Sequence, residues 1–234
     1  LSSWFMHQVE GCQNQEAMAF IASGLSYGRR PQFMAKLQQV LEWTGGDVDE
    51  WVRSGGFGQH FAPDDTRCFY RLYNHATMYR FLNTYQQLLN EHGTLGEYVR
   101  TRANTGFEAV DAICRGFAAS PFDNLTICAG STTVVPRDTQ SACKRVCMFL
   151  RWMVRSNSPV DLGLWADFID RRTLIMPLDT HVLQQSVRLG LLASKTATMT
   201  TARQLTNALT EIFPDDPLRG DFALFGYGVN NHTI

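Results

Sequence analysis

The chain has 234 residues, 44% of them hydrophobic and 18% charged, which is enough apolar material for a sizeable core without disulfide or metal staples. A net charge of −1 excludes a strongly basic, non-specific binder of nucleic acid or acidic membranes, although a local basic surface remains open. No apolar run approaches the ~20 residues of a membrane span, and LSSWFMHQVE at the start has no basic-then-apolar secretion signal. A cytoplasmic protein without a membrane partner is expected.

Apolar residues recur at helical spacing along most of the chain, which predicts an all-α fold. The expected helices are, in chain order, residues 15–27, 32–43, 66–92, 95–101, 105–118, 140–155, 162–169, 180–191, 200–213 and 217–229. STTVVP at 131–136 is the single strand candidate, and the stretches 44–58 and 120–138 lack helical period and read as loops. The six cysteines, at 12, 68, 114, 128, 143 and 147, contain no C-x-x-C pair and read as reduced thiols, and the six histidines contain no H-E-x-x-H. Neither metal nor cofactor is expected.

Chemistry concentrates in TQSACKRVCMFLRWMVR. Cys143, Cys147, Leu150 and Val154 form an apolar stripe, and Lys144, Met148, Arg151 and Arg155 form a neighbouring one. From Arg137 to Arg155 five basic residues face one acid, Asp138. A lysine in a first helical turn among arginines feels a positive potential that favours the neutral, nucleophilic amine; a solvated surface lysine explains the same position. Further on, MPLDTHVLQQ places Asp179 just before a run of helical period, where it reads as an N-cap. A capping carboxylate is also a rigidly aimed anion, suited to a cationic intermediate.

Lys144 near one helix start, followed by Pro177-Leu178-Asp179-Thr180-His181-Val182, resembles the helix-hairpin-helix superfamily of DNA glycosylases that are also abasic-site lyases. FIASGLSYGRRPQFMAKLQQVL at 20–41 is similar to the paired helices carrying part of that superfamily's base pocket. Through SACKRVCMFLRWMVR, VDLGLW, PLDTHV and DFALFGYG the chain resembles more closely a bacterial family of unknown function, number 2400 among such domains. The resemblance implies one glycosylase-like domain over 1–234, made of two packed helical subdomains, 1–43 plus 176–234 and 60–170, with a cleft between them. It implies removal of an oxidised purine, 8-oxoguanine foremost, from double-stranded DNA by a monomeric enzyme that flips the damaged base into a pocket. Lys144 would form the Schiff base and Asp179 would stabilise the sugar cation.

Substrate contacts implied in the same way are Tyr27, Gly28, Met148, Arg151, His181 and Phe225, and contacts to the DNA backbone are Arg71, Ser141 and Arg145. Met148 reads equally as core filler, and Tyr27-Gly28 as a plain helix stop. Two departures are visible. RDTQSACK lacks the superfamily's Gly-x-Gly phosphate turn, and SPVDLGLWADFIDRRTLI lengthens the connection from Lys144 to Asp179; the archaeal 8-oxoguanine glycosylases are similar to this chain on both counts. The iron–sulfur cysteine spacing of some glycosylases is absent. The alternative is a non-catalytic binder of damaged or abasic DNA on the same scaffold.

Overall fold

The structure is a computed structural model that describes residues 2–119, 133–221 and 224. Helices dominate, the fold class is all-α, and the chain divides into two compact units, Leu1–Arg102 with Ala112–Arg137, and Ala103–Asp111 with Asp138–Ile234. No helix among the described residues is long and apolar enough to cross a membrane.

In the first unit, α1 (Cys12–Leu25) is the central element, with every residue from Glu16 to Leu25 buried. Phe20 meets the rings of Phe81, Tyr85 and Phe117 at 5.5, 4.9 and 5.3 Å between centroids. Glu16 is the charged exception. Its carboxylate accepts from the Leu95 and Gly96 N–H groups at 2.9 and 3.2 Å, satisfying the otherwise orphaned first amides of α5 (Leu95–Arg100). Around α1 stand α2 (Arg30–Thr44), α3 (Val48–Arg53) and α4 (His75–His92). The first two helices pack with α3 and, through it, α4, all within the unit that begins at Leu1.

The helix expected at 66–92 begins only at His75. Before it lies a short antiparallel hairpin, β1 (Cys68–Tyr70) and β2 (Tyr73–Asn74). Phe69, Tyr70 and Tyr73 are buried there, aromatic residues suit a pleat, and Asn74 accepts from the Thr77 N–H at 2.7 Å as the N-cap of α4. The loop expected at 44–58 contains α3. Of STTVVP, residues 133–136 are not in a strand, and the remainder lies outside the described residues.

The boundary between units falls inside α6 (Gly106–Ala118). The second unit also holds α7 (Lys144–Val154), α8 (Thr180–Arg188) and α9 (Met199–Ile212). The helix expected at 162–169 is a chain of turns. Its amides serve α7 instead: Leu162 and Trp165 N–H donate to the Trp152 and Met153 carbonyls, both at 2.7 Å, closing the open C-terminal end of that helix. Trp165 is buried edge-on against Phe149, with centroids 5.2 Å apart.

Candidate functional site

Two backbone devices aim the side chains of the second unit. Ahead of α7, Ser141 bridges to Thr198 and the Met199 N–H donates to the Gln140 carbonyl at 3.4 Å. The chain then turns at Cys143, whose φ of +45° is left-handed, and its thiol donates to the Asp138 and Ser141 carbonyls. Helix therefore starts at Lys144, four residues later than the pattern suggests. Ahead of α8, residues Leu174 to Leu178 are buried. The Met176 N–H donates to Thr206 Oγ1 at 2.9 Å, and Gly106 packs so tightly on Thr173 that a Cβ would sit 2.5 Å from its carbonyl oxygen.

Asp179 thus arrives on a pinned segment and uses its two oxygens separately. Oδ1 accepts from the Val182 N–H at 2.8 Å and caps α8; Oδ2 meets Lys144 Nζ at 3.1 Å. The expected cap and the expected partner of Lys144 are one carboxylate. Both side chains are part-exposed, at 37% for Lys144 and 23% for Asp179, so the pair is open to an incoming molecule.

A third charged group belongs here that sequence reasoning missed. Asp221 is ion-paired with Arg151. Burial pushes its carboxyl up from the ordinary range, Asp179 pushes the same way, and Arg151 and Lys144 oppose them. Asp221 therefore lies within electrostatic reach of both members of the pair. Its position at the head of DFALFGYG, a stretch singled out for its aromatics, is the only signal the sequence offers.

Arg151 is not presented to solvent as a substrate contact: its side chain is 5% exposed and held by Asp221 and by Asp161, at 3.5 Å. Arg155 extends the same network to Asp161 and Asp216, both at 2.8 Å. The stripe of Lys144, Met148, Arg151 and Arg155 is thus split, with its guanidiniums internal and Lys144 and Met148 part-exposed. Arg145 is half-buried, while Ser141 and His181 are exposed. Phe225 lies outside the described residues. Tyr27, Gly28 and Arg71 belong to the first unit and come together there: a Cβ on Gly28 would lie 2.7 Å from Arg71 Cδ, and the Arg71 guanidinium is 5.6 Å from the Tyr27 ring centre.

Fold and site define an all-helical protein with a paired lysine and helix-capping aspartate, open to solvent on one compact unit. Residues 3–230 match the family described as Protein of unknown function (DUF2400), and the chain belongs to that family. No curated protein and no solved structure matches it.

Proposed function

We propose that the chain is a DNA glycosylase with abasic-site lyase activity, acting as a monomer on double-stranded DNA that carries an oxidised purine, 8-oxoguanine foremost. The observation that carries the reading is the 3.1 Å approach of Lys144 Nζ to an Asp179 oxygen whose twin is fixed by the helix cap. Likeness to the helix-hairpin-helix glycosylases, through Lys144 and the Pro-Leu-Asp-Thr-His-Val run, supplies the substrate class.

Attack needs the amine to give up a proton, and Asp179 Oδ2, 3.1 Å from Nζ, is placed to accept it. The Nζ lone pair then bonds to C1′ while the glycosidic bond breaks, its electrons leaving with the base, which takes a proton. Asp179 offsets the positive charge that builds on the sugar. Ring opening leaves a C1′=Nζ iminium. Loss of a C2′ proton then expels the 3′ phosphate, and hydrolysis frees the lysine. Part-exposed Met148, one turn beyond Lys144, supplies a polarizable wall for a flipped base.

Borohydride reduces such an iminium to a stable amine, so wild-type protein incubated with an 8-oxoguanine duplex and borohydride is expected to yield a covalent complex. Lys144→Gln should abolish it. Wild type that gives no adduct on any oxidised or abasic duplex, yet binds abasic DNA, would instead be the non-catalytic binder.

A further inference from the structure

The ion pairs along α7 do not balance. Arg151 is shared between Asp221 and Asp161, whose Oδ1 lies 3.5 Å from its Nε, and Arg155 is shared between Asp161 and Asp216, at 2.8 Å each. Two guanidiniums thus meet three carboxyls, and none of the five side chains is more than 18% exposed. A surplus anion withdrawn from water either keeps a proton or engages a further cation.

The surplus falls on Asp221. Asp161 lies between both guanidiniums, and Asp216 accepts from Nε and Nη2 of Arg155. Among the described residues Asp221 pairs with Arg151, which Asp161 shares. The charges facing Asp221 are Arg151, Lys144 and Arg155 from α7 and Asp179 from the start of α8; on its own stretch, Arg219 turns to the Phe213 ring, 5.6 Å away. Burial and Asp179 favour its proton, while Arg151 and Lys144 oppose it. Lys144 is thus the further cation in reach, and Asp179 already holds it at 3.1 Å.

We propose that Asp221 is a positioning residue that switches Lys144: neutral, it leaves the amine to Asp179 alone and able to react, and ionised, it is a second anion that holds the ammonium. An anion within reach of an amine favours the protonated form, and only the neutral amine is a nucleophile. A polyanion brought to the site favours the neutral form of Asp221, so its arrival frees the amine. Use of the freed amine on an abasic sugar rests on the lyase reading. The switch itself does not.

The test needs no DNA. Lys36, Lys144 and Lys195 are the lysines of the chain, and Lys195 is exposed. Trace acetylation of the full chain with acetic anhydride, resolved by peptide mass spectrometry, therefore reports the reactivity of Lys144 against Lys195. In Asp221→Asn, which mimics the neutral carboxyl, relative labelling of Lys144 at about pH 9 should exceed wild type by about 3- to 10-fold, the effect of one charge several ångströms away. The gain should shrink as pH falls toward the ordinary carboxyl range, whereas a merely loosened site would label faster at every pH. Asp221→Glu, which keeps the charge, should return labelling to near wild type. If Asp221→Asn does not fold, wild type carrying carbon-13 at lysine Cε decides: the Lys144 resonance should inflect where Asp221 ionises as well as where the amine loses its own proton. No gain in folded Asp221→Asn, a gain independent of pH, or a single inflection in wild type overturns the proposal. Absence of a borohydride adduct while the switch operates overturns the lyase reading alone.

Discussion

Asp179 divides two duties between two oxygens, and substitutions can divide them again. Asparagine caps a helix about as well as aspartate but carries no charge. Asp179→Asn should therefore stay within about 0.5 kcal/mol of wild-type stability in urea unfolding, while its rate of borohydride trapping falls by about 100-fold or more, the scale of a lost acid–base group. Asp179→Ala should lose the cap as well, at about 1 kcal/mol. Equal trapping by Asp179→Asn and wild type would leave the carboxylate a cap only. The cap and the first-turn lysine are each legible in the sequence as local patterns, whereas their pairing is an expectation that comes only through the resemblance to the glycosylases. Asp221 is not legible, because its place depends on burial beside Arg151, and that follows from how distant segments pack. Cys143 is equally hidden, since a cysteine is not an expected occupant of a left-handed position.

At the level of elements, periodicity identifies α1, α2, α4, α5, α6, α8 and α9 to within a few residues at most ends, since each has an apolar face and a recognisable stop or cap. It fails where apolar spacing and backbone pairing part company. Residues 66–74 carry aromatics that a hairpin buries as well as a helix would. Residues 162–169 have helical spacing, yet the Leu162, Gly163 and Trp165 amides go to the end of α7. The segment leading to Asp179 is likewise set by contacts with no sequence signature, above all Gly106 against Thr173 and Leu174. A methyl group on Gly106 would lie 2.5 Å from the Thr173 oxygen and 2.8 Å from Leu174 Cα, so backbone must move. Gly106→Ala should therefore cost about 1–3 kcal/mol, the usual range for overpacking. Trapping by the folded variant should also slow, because the displaced backbone runs directly into the helix cap. A variant as stable and as active as wild type would show that the Gly106 contact does not set the aim of Asp179.

Across the whole molecule the near-zero net charge conceals two populations of carboxyl groups with opposite effects on stability. Those outside the core are held low: the Arg67 guanidinium and amide bring Asp65 to about 2, Arg172 lowers Asp170, and the Asn104 and Thr105 amides lower Glu108. Each contributes stability above the unfolded carboxyl value that is lost as pH falls through its folded value. Buried ones are held high. Desolvation raises Asp161 against the pull of Arg151 and Arg155, and raises Asp221 against Arg151 and Lys144. For these the folded state binds more protons than the unfolded one, so stability declines as pH climbs from the ordinary carboxyl range to their folded values. Unfolding free energy should accordingly rise from strongly acidic pH and then fall back in part above the usual carboxyl range. Asp161→Asn isolates the second effect. Removing the shared partner of Arg151 and Arg155 should lower absolute stability, by up to about 3 kcal/mol as for a broken buried pair, with the remaining Asp216 and Asp221 limiting the loss. The decisive quantity is the slope of unfolding free energy against pH on the falling limb, measured by urea titration at successive pH values. That slope should become shallower in Asp161→Asn, and a slope equal to wild type would show that Asp161 does not bind its extra proton in the folded state.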